Sequence, residues 1–287
     1  MHHTLWRAFS YSQTLPQHLL TGRGCLQVVS THTHACNLLL DSGELIALVG
    51  QRHGNGPFHI VVPAAMLANF HTGEPITYKS GMLITAAHYL DFDQAAQWNP
   101  HLPACTFPLS APILALLATA SAAYPTSPLF ALTNVQNYLQ RRAAQGLQSL
   151  TVGLQSGNLN RIAEGATDLA GLGSGLTPAG DDFLVGWLAA LFIQPAPKPF
   201  GIDRAAIGAQ VEAAAGATTR LSAAWLQCAA RGQFGAAWHA LAHALDIGER
   251  GLIQQTATHI LSTGATSGVD AFGGLLRGLE MLQPLQH

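Results

Sequence analysis

The chain has 287 residues, of which 48% are hydrophobic and 10% are charged, and its formal net charge is -2. This length suffices for one large domain or two ordinary ones, and the apolar content can fill a sizeable core. The only lysines are Lys79 and Lys198, so the sequence predicts neither a polyanion-binding surface nor a nucleic-acid partner. The low charge content suggests that some surface is buried against a partner or in an oligomer.

The sequence predicts neither a membrane span nor export. The longest apolar runs, Pro112–Ala123 and Phe183–Ile193, are shorter than the roughly 18–20 residues that cross a bilayer. The N-terminus lacks the basic region and apolar core of a secretory signal. The four cysteines show no CxxC spacing and are expected to be reduced thiols. We therefore expect a cytoplasmic protein without a membrane partner.

The first hundred residues contain short apolar runs separated by turn signals. They predict strands at Cys25–Val29, Ala35–Leu40, Leu45–Val49, His59–Val62 and Ile76–Leu83. The segment DSGE (Asp41–Glu44) between two runs predicts a hairpin, and HGNGP (His53–Pro57) predicts a further reversal. Strands at this spacing favour a small antiparallel barrel or sandwich, in a β-rich N-terminal domain over residues 1–108.

From about residue 108, alanine and leucine recur with helical period. Ser110 before Ala111-Pro112, and Ser127 before Pro128, each predict an N-cap followed by proline in the first turn. The second of these helices is expected to end at Gly146. Further helices are predicted at about 154–168, 178–193, 203–230, 234–245, 249–261 and 268–282. The expected fold class is α+β, in which a larger all-helical C-terminal domain covers residues 109–287.

The helical half contains a glycine-rich motif that occurs twice. The first copy, GLGSGLTPAGDDFLVG, covers residues 171–186, and the weaker second copy, TGATSGVDAFGG, covers residues 263–274. With one residue deleted from the second copy, the matching positions are Thr177 with Thr266, Gly180 with Gly268, Asp182 with Asp270 and Gly186 with Gly274. Each copy has a Gly/Thr loop, an aspartate near a helix start and a glycine one turn later. Thr177 is expected to cap the first helix, with Pro178 at the first helical position.

This pattern has a functional and a structural interpretation. Exposed N–H groups and the helix dipole make a helix N-terminus electropositive, which is typical of an anion site. The glycine four residues after the aspartate leaves room for a ligand or for another helix. An aspartate in a first turn, and glycine at helical spacing, also arise from the dipole and from helix packing alone. Two copies in the same order favour a shared functional site. The segment GLGSGLT is not a Walker loop, and it is not a dinucleotide-binding fingerprint in the required strand–helix context.

We assign the candidate residues of this site from the two motifs and from TTRLS. The predicted catalytic residues are Asp182, Asp270 and Arg220, and the predicted substrate-binding residues are Gly173, Gly175, Thr177, Gly180, Asp181, Thr266, Ser267 and Gly268. Arg220 is expected to bind an oxyanion bidentately, the alternative being an ion pair at a helix end. Arg277 lies seven residues after Asp270 and is an alternative partner for it.

Two carboxylates beside a phosphate would repel it, so the motif needs an arrangement that removes the repulsion. A bridging Mg²⁺, neutralisation by arginine, or aspartates turned away to bind backbone donors would each do so. We favour the last two, because the carboxylates lack a regular ligand spacing. The sequence therefore predicts no bound metal and no cofactor, with Mg²⁺ kept as the alternative.

The two motifs resemble the paired signatures of the AllH-type subunit of oxamate carbamoyltransferase. CNLLLDSGELIALV, GNGPFHIVV and TTRLSAAWLQCAARGQF also fit that family, so that the resemblance covers about residues 25 to 280. It implies a part in anaerobic allantoin catabolism, a purine-nitrogen pathway, where oxalurate plus phosphate is interconverted with oxamate plus carbamoyl phosphate. It also implies two other subunit types as partners, so it does not require the isolated chain to be active.

Three functional hypotheses follow. In the first, the chain is a catalytic or co-catalytic carbamoyltransferase subunit that binds the small anions carbamoyl phosphate, oxamate and oxalurate. In the second, it is a structural or regulatory subunit of the same complex. In the third, it is a metal-assisted hydrolase, because the Gly-Asp-Asp and Gly-x-Asp helix starts resemble those of ADP-ribosylglycohydrolases.

Overall fold

The structure is a computed structural model with two compact units, Met1–Pro100 and His101–His287. The residues that it describes are 4–106, 109–125, 129–130, 137–195 and 199–283.

The first unit is a single sheet that curls into a half-barrel. Its strands are β1 (Thr4–Arg7), β2 (Ser10–Ser12), β3 (Arg23–His32), β4 (Ala35–Leu40), β5 (Leu45–Gly50), β6 (His59–Val62), β7 (Pro75–Lys79), β8 (Met82–Ile84), β9 (His88–Asp91) and β10 (Ala96–Trp98). Two short helices, α1 (Gln17–Thr21) and α2 (Ala64–Leu67), belong to the same unit. The strand order across the sheet is β1-β9-β8-β7-β3-β4-β5-β6-β2-β10.

The prediction of a small antiparallel barrel or sandwich was wrong in size and in strand direction. The DSGE turn does join β4 and β5 as an antiparallel hairpin, with Leu39 opposite Leu45. The connection through HGNGP instead returns the chain so that β6 runs parallel to β5. The pairs β1–β9 and β2–β10 are also parallel, so the sheet is mixed. Turn signals reveal where a chain reverses, but they do not reveal beside which strand it returns.

Four of the five predicted strands correspond to observed strands, and the fifth divides. Ile76–Leu83 forms the antiparallel pair β7 and β8, because Ser80 (φ 46°) and Gly81 (φ 76°) make a tight turn between them. The central strand β5 is buried along its whole length, as its unbroken apolar run LIALVG requires. Leu38, Ile46, Leu48 and Ile60 are among the core residues of this unit.

The second unit is helical. Its described helices are α3 (Ala111–Ala122), α4 (Tyr138–Ser156), α5 (Leu159–Leu169), α6 (Ala179–Ile193), α7 (Arg204–Ala214), α8 (Arg220–Ala230), α9 (Ala236–Ile247), α10 (Arg250–Leu261) and α11 (Ser267–Met281). Helix α6 is apolar on almost every side and lies in the core, where Trp187 is fully buried. Its indole Nε1 donates to Met281 Sδ of α11 at 3.3 Å. The predicted α+β fold class, with a β-rich N-terminal part and a helical C-terminal part, is therefore confirmed.

Most described helix positions follow the predictions, and the differences lie around α4 and α5 and between α7 and α8. Ser110 precedes α3 as predicted, whereas the start expected at Ser127 lies outside the described residues. Helix α4 runs through Gly146, where we expected an end, because this glycine packs against Leu169 of α5. The predicted helix 203–230 is divided into α7 and α8, since Thr219 caps a new helix.

None of the helices in the described ranges is long and apolar enough to cross a membrane. Cys25, Cys36, Cys105 and Cys228 are all free, as predicted. Cys228 is partly buried, and burial raises the pKa of its thiol to about 12, so this side chain is not a reactive thiolate at neutral pH.

Candidate functional site

The two motif copies form two equivalent helix–loop–helix units, α5–loop–α6 and α10–loop–α11. In each, the glycine of the first helical turn faces a carbonyl oxygen at the end of the preceding helix. A Cβ on Gly180 would lie 2.1 Å from Leu169 O, and one on Gly268 would lie 2.0 Å from Ile260 O. Both N–H groups donate to a carbonyl of their own loop, at 2.8 and 3.0 Å. These two predicted substrate-binding glycines therefore close their hairpins by backbone packing.

Helices α6 and α11 pack against each other in a reciprocal manner. A Cβ on Gly186 would lie 1.6 Å from Ala271 O, and a Cβ on Gly274 would lie 1.9 Å from Phe183 O. In the motif alignment Gly186 matches Gly274, and Phe183 matches Ala271. The glycine of each copy therefore packs against the equivalent residue of the other copy, as expected for an internal two-fold repeat. Of the two explanations for these glycines, close helix packing is the one that the structure supports.

The first turns of the two helices meet at a pair of hydroxyl groups. Thr177 Oγ1 lies 2.9 Å from Ser267 Oγ, which joins the two copies. Thr177 is therefore not the N-cap that we predicted. Helix α6 begins at Ala179 with Pro178 in the capping position, and the threonine hydroxyl turns towards α11. Thr266 does occupy the N-cap position of α11, but its side chain makes no capping hydrogen bond.

Asp182 and Asp270 lie in the first turns of α6 and α11, and Asp182 is next to these hydroxyl groups. Asp270 is 2% exposed. Burial raises the pKa of Asp182 to about 8, the hydroxyls of Ser267 and Thr177 partly offset the rise, and the charges of Asp270 and Asp181 add to it. Within the described part of the chain, the buried Asp182 Oδ2 has no hydrogen-bond partner. At neutral pH the Asp182 carboxyl is therefore mainly protonated, which removes one of the two charges that would repel an anion.

Asp181 points elsewhere. It is 1% exposed, and its Oδ1 accepts a hydrogen bond from the Gly171 N–H at 2.8 Å. Its Oδ2 accepts a hydrogen bond from the Thr218 hydroxyl. Burial raises the pKa of Asp181, while these hydrogen bonds act in the opposite direction. This is the arrangement in which an aspartate of the motif turns away to bind a backbone donor.

The loops before the two helices are exposed and contain glycines with left-handed backbone. Gly173 has φ 121° and Gly175 has φ 102°. A Cβ on Gly175 would meet nothing within 4 Å, so its conformation and not the available space favours glycine there. Residues 173–176 and 262–266 are exposed, whereas Gly180 and Gly268 beneath them are buried. Both loops are therefore accessible to solvent, next in sequence to the helix turns that carry Asp182 and Asp270.

Arg220 is the first residue of α8 and is exposed. The preceding Thr219 caps α8 by accepting from Ser222 N at 3.2 Å. The Thr219 hydroxyl also donates to Leu176 O of the first glycine loop at 2.6 Å. The start of α8 is therefore attached to that loop. Sequence reasoning selected Arg220 but did not assign a role to Thr218 and Thr219. Two adjacent threonines directly before a helix could have indicated a capping or loop-binding role.

The sequence offered Asp270 as an alternative partner for Arg277, but the contact observed for Arg277 is with Glu280. This side chain forms an exposed ion pair with Glu280 at 2.8 Å. No group of three or more His, Cys, Asp or Glu side chains among the described residues is arranged to hold a metal ion. The site thus consists of two carboxyl groups, two hydroxyl groups and the backbone of two glycine loops.

The fold and the site define a two-unit α+β protein in which a β-rich unit precedes a helical unit. In the helical unit, two repeated helix–loop–helix units bring the carboxyl groups of Asp182 and Asp270 near each other. Two family models match this chain. The model described as "Oxamate carbamoyltransferase subunit AllH" matches residues 169–279, and the "AllH family N-terminal domain" matches residues 6–97. The chain belongs to the AllH family of oxamate carbamoyltransferase subunits. No solved structure matches it with significance.

Proposed function

We propose that this chain is a catalytic or co-catalytic subunit of an oxamate carbamoyltransferase. In this proposal it interconverts oxalurate plus phosphate with oxamate plus carbamoyl phosphate, in the cytoplasm and together with other subunit types. The observation that carries the proposal is the pair of aspartates in the first turns of α6 and α11, of which Asp270 is buried and Asp182 is largely buried, beside the contact between Thr177 and Ser267. The subunit designation of the family supports the need for partner chains.

The proposed reaction requires a proton at a defined atom. In the direction of oxalurate cleavage, a phosphate oxygen attacks the carbamoyl carbon, and the bond from this carbon to the oxamate nitrogen breaks. The leaving nitrogen must receive a proton, and the phosphate hydroxyl must lose one. An acid that is protonated at neutral pH and is shielded from water is suited to this transfer.

Asp182 has these properties, because burial raises its pKa to about 8. In the proposed mechanism Asp182 gives its proton to the leaving amide nitrogen, and the Asp182–Asp270 pair recovers a proton from the attacking phosphate hydroxyl. The exposed backbone of the loops, with the hydroxyls of Thr177 and Ser267, binds the substrate carboxylate and the phosphate. Arg220, at the edge of the first loop, binds an oxyanion of the substrate.

The same pair argues for a catalytic part over a purely structural one. A buried carboxyl group with a strongly raised pKa destabilises the fold once it ionises, and a subunit that only bridges other chains does not need such a group. Burial of a protonatable pair beside accessible loops is typical of a site where protons are transferred.

The experiment that tests the proposal is reconstitution of the complete complex and measurement of carbamoyl phosphate formed from oxalurate and phosphate. We expect Asp182→Asn and Asp270→Asn each to lower kcat at least about a hundredfold, the range of general acid–base catalysis. The matched control is Glu280→Gln, which makes the same chemical change at an exposed position of α11. If both site variants keep the parent's substrate affinity and turnover, the assignment of the site is wrong.

A further inference from the structure

The two adjacent aspartates of the first motif face different neighbours. Asp182 lies beside Ser267 of the second copy, whereas Asp181 binds Gly171 and Thr218. The second copy has Val269 at the position of Asp181, so this contact belongs to the first copy alone. A carboxyl group that is 1% exposed and fully engaged by two donors does not have a free face for a substrate.

The first glycine loop is attached to the segment before α8 at both of its ends. At the start, Asp181 bridges the Gly171 N–H and the Thr218 hydroxyl, and Gly171 itself packs so closely that a Cβ would lie 2.6 Å from Ala217 O. Near the end, the Thr219 hydroxyl donates to Leu176 O. The exposed glycines of the loop lie between these two attachments.

We propose that Asp181 and Thr218 are positioning residues that hold the first glycine loop and the first turn of α8 together as one preformed wall of the site. Arg220 follows Thr219 directly, so the wall presents loop backbone and fixes the backbone position from which the Arg220 side chain extends. Asp181 is thereby reassigned from binding the substrate to shaping the surface that binds it. The part of the inference that concerns Arg220 and the substrate rests on the proposed function.

Thr218→Val is the decisive variant, because valine has the shape of threonine but lacks the hydroxyl that Asp181 accepts from. Thr218→Ser retains the hydroxyl and is the matched control. Amide hydrogen exchange of the full chain then reports loop order without any assay of activity. We expect exchange over residues 171–177 and 218–222 to accelerate about tenfold or more in Thr218→Val, while Thr218→Ser resembles the parent.

In the reconstituted complex the same variant should separate binding from chemistry. We expect the KM for oxalurate to rise about fivefold to thirtyfold in Thr218→Val, with kcat within about twofold of the parent, and Thr218→Ser to restore the parent's KM. Unchanged exchange over residues 171–177 would overturn the positioning assignment. Acceleration spread evenly over the helical unit would also overturn it, because the hydroxyl would then serve only general stability. A parent complex without transferase activity would instead refute the proposed function, and the exchange result would still decide the positioning.

Discussion

Replacement of Asp182 by asparagine should stabilise the protein, by an amount that depends on pH. The pKa of this carboxyl rises from 3.8 to about 8 on folding, chiefly because the group is buried. Well below pH 3.8 the carboxyl is protonated in both the folded and the unfolded state, so it does not favour unfolding. As the pH rises from 4 to 8, the unfolded state ionises first, and the free energy of unfolding falls.

The magnitude follows from the size of this rise. A pKa of about 8 in place of 3.8 corresponds to about 5 kcal/mol lost between pH 4 and pH 8. Asparagine cannot ionise and resembles the protonated acid in shape. The net expectation is that Asp182→Asn is more stable than the parent at pH 8 and nearly equal to it at pH 4.

The assay is thermal unfolding of both proteins, followed by circular dichroism, at several pH values from 4 to 8. A stabilisation of this size raises the Tm of a unit as large as the helical one by roughly 10 °C or more at pH 8. Comparison of variant and parent at each pH cancels the titration of every group that does not interact with Asp182, which leaves Asp182 and its neighbours Asp181 and Asp270. A variant less stable than the parent at pH 8, or a difference that does not change with pH, would show that Asp182 is ionised in the fold and refute the argument.

The remaining predictions concern helix packing and a buried histidine. Gly186→Ala should lower the free energy of urea unfolding by about 3 kcal/mol or more, because the new Cβ would lie 1.6 Å from the backbone oxygen of Ala271. Its control, Gly273→Ala in α11, meets open space and should raise stability by about 0.4–1 kcal/mol; equal effects of the two would contradict the packing. Burial lowers the pKa of His59 to about 4. The neutral ring should therefore contribute about 3 kcal/mol to the free energy of unfolding at neutral pH, and this contribution should be lost as the pH falls from 6.5 to 4. An NMR titration of the His59 ring with a midpoint near 6.5 would exclude this effect.

Local sequence signals predicted the elements well but predicted their arrangement poorly. Strand Ala35–Leu40 has the predicted bounds, and α6 begins one residue after the predicted start, because turn residues and apolar period act over a few neighbouring positions. The parallel pairing of β5 with β6 depends on contacts between distant segments, which a short-range pattern does not contain. Gly146 shows the same limit, since only the neighbouring helix reveals why α4 continues through it.

The candidate site was predictable as a pair of motifs but not as a set of contacts. The match between Asp182 and Asp270 was visible in the sequence, and the structure places both in first turns that meet. The role of Thr177 was mistaken, because a threonine before proline has the local signature of an N-cap whether or not its hydroxyl is needed elsewhere. The raised pKa of Asp182 could not be foreseen either, since it depends on the burial that folding creates.

The departure of the two motif copies from symmetry explains why one of them carries two aspartates. Gly186 and Gly274 make equivalent contacts, so the packing of the repeated helices does not require a second aspartate. The loop of the first copy also attaches to α8, and Asp181 provides that attachment through Thr218, whereas Val269 in the second copy does not. The structure therefore places one aspartate of each copy in a first helical turn, and the additional aspartate attaches only the first loop to the segment that precedes Arg220. Under the proposed function, this difference between two otherwise equivalent halves is what would let the site distinguish a phosphate from a carboxylate.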